Sequence, residues 1–182
     1  MIPISPSVSG VSSAVSSGLT WSKISCMQQH HELRLNGEVV GSLRKPSFWS
    51  SEFEAETLAG RWTIRKAGFC GTGAAIVNAA SQQIIATSKS GWGSRGTLTF
   101  TDGQVFEVLC NGWWRPVWSV LNASGQAVLH IHRREKTVDL DSNAATGAVN
   151  DDRLTLLIMF TWYCVLRAEE DASTAVLVAA VS

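Results

Sequence analysis

From residue 31 to about residue 140 the chain alternates apolar and polar residues in short runs, and turn-forming residues interrupt the alternation. The turns recur about every 8–12 residues, the spacing of an all-β chain. A period of two sends successive side chains to opposite faces of a strand. In residues 31–35, Leu33 and Leu35 share one face, and Asn36-Gly37 follows. That dipeptide is the strongest two-residue hairpin signal. Residues 38–44 form the returning strand. In 52–57, Phe53 and Ala55 point inward between carboxylates that point to water. In 61–66, Trp62 and Ile64 point inward while Thr63 and Arg65 point outward. Strands at 74–78 and 84–89 flank the turn 79–83, strands at 96–100 and 105–110 flank 101–103, and strands at 113–121 and 127–132 flank 122–125. A last short strand is expected at 136–140, which makes about ten or eleven in all.

Residues 76–87 (IVNAASQQIIAT) are similar to residues 120–131 (VLNASGQAVLHI). Both read as strand, Asn-containing turn, Gln and strand. Two hairpins with one turn type and a duplicated β-unit both account for the likeness. No short period recurs three times, so a solenoid is excluded.

The pattern changes after residue 150. Asp151 and Asp152 precede Arg153 and the run LTLLIMFTWYCVL, which favours a helix start through capping and the macrodipole. Projected at 100° per residue, residues 154–166 show no polar face. A helix apolar all round is a core helix or a membrane span. Thirteen residues rise about 20 Å, short of the ~30 Å of a bilayer core. Arg153 and Arg167 bound the run closely, so it reads as buried. The acidic cluster Glu169-Glu170-Asp171 is unfavourable at a helix C-terminus, which leaves open a continuation of the helix into the Ala-rich tail. An all-β chain accommodates such a helix by closing around it. Closure removes the exposed strand edges, and the helix fills a lumen too wide for strand side chains alone. The expected fold is mainly β: a closed antiparallel β-barrel of about ten to twelve strands around one buried hydrophobic C-terminal helix.

Composition narrows the function classes. The 182 residues carry 15 Lys plus Arg and 15 Asp plus Glu, so the net charge is zero and no basic excess points to nucleic acid. Charged residues are 16%, against roughly 25% in a typical domain, which argues against general disorder. Eight Trp stand against one Tyr. Residues 1–27 are Ser-rich and aperiodic, and are expected to be a disordered tail without a secretory leader. The domain is expected at 28–171, with the helix at about 151–171 and an apolar tail at 172–182. Cys26, Cys70, Cys110 and Cys164 show no CxxC spacing and read as reduced thiols in a cytoplasmic protein.

Hairpins followed by an apolar C-terminal helix resemble the tubby C-terminal-like superfamily, which includes tubby domains, phospholipid scramblases and LURP-one-related proteins. The stretches ELRLNGEVVGSLRKP (32–46), RGTLTFTDGQVFEV (95–108), WSVLNASGQAVLHIHRR (118–134) and RLTLLIMFTWYCVL (153–166) carry the likeness. It extends over about residues 30–171 and is nearest to LURP-one-related and scramblase-like bacterial proteins. The resemblance implies a twelve-stranded barrel around a central helix. It also implies binding of anionic phospholipid headgroups, or another ligand, at a barrel rim, without enzymatic activity or cofactor. A structural or protein-interaction module and a scramblase-like membrane-associated protein are the other readings. Asp139, Asp141, Asp151 and Asp152 lack the regular spacing of a calcium loop, and no tubby phosphoinositide site aligns residue by residue.

The residues supply several candidates of their own. His130 and His132 share one strand face, the outer one, but no third metal ligand is near in sequence, so no metal site is expected. Arg133, Arg134 and Lys136 form the densest basic patch, which Glu135 interrupts. Such a cluster at a barrel rim suits a lipid phosphate or another anion. Trp92, Trp113 and Trp114 lie beside Gly and Arg, and adjacent strand residues cannot all face inward. Exposed Trp92 and Trp114, each near an Arg and the latter next to Arg115, suit a membrane interface or a stacked ligand, or equally the cover of a barrel end. The candidate anion- or lipid-binding residues are therefore Arg115, Arg133, Arg134, Lys136, Trp92 and Trp114. Gly71-Thr72-Gly73 is too short for a phosphate loop, and the serines near 88–94 form no nucleophile elbow.

Overall fold

The computed structural model describes residues 18–25, 29–47, 49–67, 73–90, 95–112, 114–141 and 151–181. Its strands are β1 (Leu19–Ser25), β2 (His30–Leu35), β3 (Glu38–Arg44), β4 (Phe53–Thr57), β5 (Gly60–Ala67) and β6 (Gly73–Asn78). They continue as β7 (Ile84–Ser90), β8 (Arg95–Phe100), β9 (Val105–Asn111), β10 (Val117–Leu121), β11 (Ala127–His132) and β12 (Thr137–Leu140). One helix, α1 (Asp151–Val181), follows them. Each strand pairs antiparallel with its neighbours in sequence, and β1 pairs with β12 at Leu19↔Val138 and Thr20↔Thr137. The sheet is thus a closed twelve-stranded meander with no free edge, the expected class of fold.

The turns form where the sequence permits left-handed backbone. Asn36 and Gly37 both have positive φ, 52° and 91°, as a two-residue hairpin loop requires. Register shifts at Lys23/Ser25, Leu33/Arg34, Ile76/Val77 and Val120/Leu121 add local bend and twist to the wall.

Alternation sets the core. Leu33, Leu43, Phe53, Ile64, Ile76, Leu98, Phe106 and Ile131 are all buried, and α1 meets them across the lumen. On α1 every residue from Leu154 to Leu166 is buried except Thr155 and Cys164, which are half-buried. Thr161 sits in this apolar setting because its hydroxyl donates to the Leu157 carbonyl at 2.7 Å, one turn back. Gly41 on β3 lets α1 approach: a Cβ there would fall 2.2 Å from Met159 Cε.

Two expectations about the chain ends need correction. Residues 19–25, assigned to a disordered tail, form β1, the strand that closes the barrel. Only Leu19 and Trp21 of this strand are buried, too short a run to stand out from a Ser-rich stretch. Its order comes from pairing with β2 and β12 and from the stack of Trp21 on Trp162 of α1. Residues 1–17, and 26 and 27, lie outside the described residues. The helix, expected to end near residue 171, continues to Val181.

The two ends of the barrel differ. One, the turn end, carries the hairpin turns between β2 and β3, β4 and β5, β6 and β7, β8 and β9, and β10 and β11. The other, the loop end, carries the connections after β1, β3, β5, β7, β9 and β11. The start of α1 is tied to the turn end. Arg153 pairs with Asp102 at 2.6 Å, bonds the Gln104 side chain and lies 4.6 Å over the Phe100 ring. The Gln104 backbone N–H and the Arg153 guanidinium hold the Asp102 carboxyl below its usual range.

Candidate functional site

At the loop end the acidic cluster of α1 meets barrel cations. Glu170 accepts from Lys45 at 2.8 Å and from Gln29 at 3.0 Å, and also pairs with Arg167. Burial works to raise the Glu170 pKa, but Lys45 and Arg167 outweigh it and hold it low. Arg133 Nε donates to Glu169 at 2.8 Å. The acidic run, which lies within the helix and not at its end, is thus met by cations of the barrel. α1 leaves the lumen here, neutralised as it passes the rim.

The loop 112–116 and the turn 133–136 lie side by side, joined by the Arg133 N–H to the Pro116 carbonyl at 3.4 Å. Gly112 takes φ 87°, and a Cβ there would lie 2.8 Å from the Arg115 carbonyl oxygen, so the loop is tight. Trp114, Pro116, Arg133, Arg134 and Glu169 line a shallow hollow of about 450 Å³. Trp114 is 78% exposed, a large apolar surface left in water.

The structure thus brings three of the candidate residues together: Trp114, Arg133 and Arg134. Arg115 is exposed on the same loop as Trp114 but does not line the hollow. Lys136 is exposed at the end of the turn 133–136 that carries Arg133 and Arg134, but does not line the hollow; its φ is 57° and its carbonyl accepts from the Trp21 N–H at 2.7 Å. Trp92 and Trp113 lie outside the described residues. Glu169 was not foreseen as a member of the site. It occupies Arg133, which leaves Arg134 as the cation lining the hollow without an ion pair among the described residues.

The histidine pair is engaged within the barrel wall. His130 Nδ1 lies 2.8 Å from the Ser119 hydroxyl, and His132 Nε2 lies 3.0 Å from Asp139. Among the described residues no group of three or more potential ligands could hold a metal ion.

A second concavity at the same end was not anticipated. It is a cleft of about 240 Å³ between α1 and the ends of β5 to β10, with Lys66, Lys89, Arg95 and Arg167 among its lining residues. Lys66 extends the inward alternation of Trp62 and Ile64, so the signal for it was present in the sequence.

Among the described residues no helix is long and apolar enough to cross a membrane, a statement about helices and not about strands. Comparison of the chain with protein-family models, with curated proteins and with solved structures returns no match.

Proposed function

We propose that this chain is a non-enzymatic, tubby-like barrel, cytoplasmic and peripheral at the membrane, whose loop end docks on anionic phospholipid headgroups. The observation that carries the reading is Trp114, largely exposed beside Arg134 and Arg133 over one hollow. An indole has an apolar body and an N–H donor, which suits the headgroup layer. A cation near an anionic leaflet contributes about 1 kcal/mol. With net charge zero, attraction over long range is weak, so the affinity comes from this local group.

Co-sedimentation with vesicles tests the reading. Phosphatidylcholine vesicles containing phosphatidylserine are expected to pellet the protein at low salt, and phosphatidylcholine alone is not. Trp114→Ser and Arg134→Gln are each expected to reduce the pelleted fraction several-fold. If phosphatidylserine vesicles leave the protein in the supernatant at low salt, the reading is wrong.

A further inference from the structure

We propose that the cleft beside α1 binds a single-chain anionic amphiphile, with Lys66 holding the acidic head and the apolar floor taking the chain. This is a different site from the hollow at Trp114 and takes a different ligand: one small molecule from solution and not a bilayer surface.

The cleft follows from side-chain size along one row of the wall. Register places Lys66, Ala74, Ser88, Leu98 and Phe106 side by side on β5 to β9. Paired residues share a face of the sheet, and Leu98 and Phe106 are buried in the lumen. Lys66, Ala74 and Ser88 therefore face the lumen too. Gly96, paired with Val108, belongs to the next row toward the loop end. Where other strands present Leu or Phe to α1, three adjacent strands present Ala, Ser and Gly. The gap between wall and helix is the volume those side chains do not fill.

Its chemistry is divided. Val108, Trp118 and Phe160 give it an apolar floor. Lys66, Lys89, Arg95 and Arg167 surround its mouth. Arg95 is paired with Glu107 at 2.8 Å, and Arg167 with Glu170 and with Asp171, the acid that also lines the mouth. Lys66 and Lys89 make no ion pair among the described residues. They flank β6, since Lys66 pairs with Ala74 and Lys89 with Gly73. Lys89 follows the lumen-facing Ser88 and so points to the outer face of the wall, which leaves Lys66, of the two, directed into the cleft. The Ser88 hydroxyl accepts from the Ala74 N–H at 3.0 Å and keeps its own proton to donate.

Size fixes the ligand class. About 240 Å³ lies just under the ~300–1,000 Å³ of pockets for drug-sized ligands. It equals about eight waters at ~30 Å³ each. One short alkyl chain fits and the paired chains of a phospholipid do not. Alkyl carboxylates and alkyl phosphates share the required chemistry.

Titration calorimetry with decyl phosphate, decanoate, decanol and inorganic phosphate, all below micelle formation, tests the proposal, with the fluorescence of Trp118 as a second readout. At least one of the two decyl anions is expected to saturate at one site. Decanol is expected to bind at least tenfold more weakly, and inorganic phosphate not at all. Lys66→Met, at an exposed position that leaves the fold intact by circular dichroism, is expected to weaken the anion at least tenfold and leave decanol unchanged. Ala74→Leu is expected to weaken both. Saturable binding by neither anion, or equal anion affinity in Lys66→Met and the parent, overturns the proposal. Lys66→Met is expected to pellet with phosphatidylserine vesicles as the parent does. Failure of the parent protein to pellet, together with saturable anion binding by it, would remove only the docking reading.

Discussion

The indole of Trp162 on α1 stacks on that of Trp21 on β1, ring centroids 5.0 Å apart and planes within 7°. The edge of His31 on β2 closes the group at 5.7 Å from Trp162. The contact joins the helix to the strand that closes the barrel. Trp162→Ala is expected to cost about 3–5 kcal/mol in a denaturant titration, as for other buried large side chains. Trp162→Phe is expected to cost much less. Neither Trp21 Nε1 nor Trp162 Nε1 has a hydrogen-bond partner among the described residues, so a ring without the N–H relieves an unsatisfied donor. A cost for Trp162→Phe equal to that of Trp162→Ala would contradict this.

Gly41 and Met159 are expected to be coupled. Gly41→Ala places its Cβ against Met159 Cε and 3.2 Å from the Glu56 carbonyl. The thioether end is flexible and the carbonyl is not, so a cost of about 1–3 kcal/mol is expected from overpacking. In the Met159→Ala background the same change is expected to cost at least about 1 kcal/mol less. Additive costs in thermal melts of the four proteins would place the strain elsewhere.

His31 gives the fold a pH dependence. Burial, then Lys23, Lys136 and His30, lower its pKa from 6.5 to about 4. Between those values the unfolded chain binds a proton that the native protein does not. Stability therefore falls as pH drops from about 6.5 to about 4, by about 3 kcal/mol over the span. His31→Leu is expected to flatten this part of the stability profile. An unchanged slope in the variant would assign it to other groups.

Glu170 is expected to hold α1 at the loop end. Glu170→Gln removes the charge from a part-buried group that Lys45, Arg167 and Gln29 all address. The expected loss is about 1–3 kcal/mol, because the part-buried Lys45 loses its anionic partner and Arg167 keeps only Asp171. It is expected to shrink in a Lys45→Met background, which a double-mutant cycle measures.

The central fold was legible because two periods were pure. Strands from β2 to β11 alternate cleanly, and residues 154–166 have no wet side, so barrel and core helix followed from pattern and length alone. β1 was not legible, since two inward residues carry too little signal without β2, β12 and Trp162. The C-terminal extent of α1 was legible only in part: Glu169, Glu170 and Asp171 argued against a helix end there, but nothing in the sequence placed the end at Val181. For the site, the nearness of Trp114 to Arg133 and Arg134 required two loops that are apart in sequence. The neutralisation of Arg133 by Glu169 spans 36 positions and left no local trace. Lys66 was the converse case, an inward position readable by alternation whose charge made it look like surface.

The order of the elements along the chain also sets an order in time. All twelve strands precede α1, so a ribosome delivers every wall of the barrel before it delivers the filling. Until residues 154–166 emerge, inward residues such as Phe53, Ile64, Leu98 and Ile131 have no helix to pack on, and the nascent sheet is a sticky, unfinished surface. The interior is therefore completed only when a segment made after all twelve strands enters it.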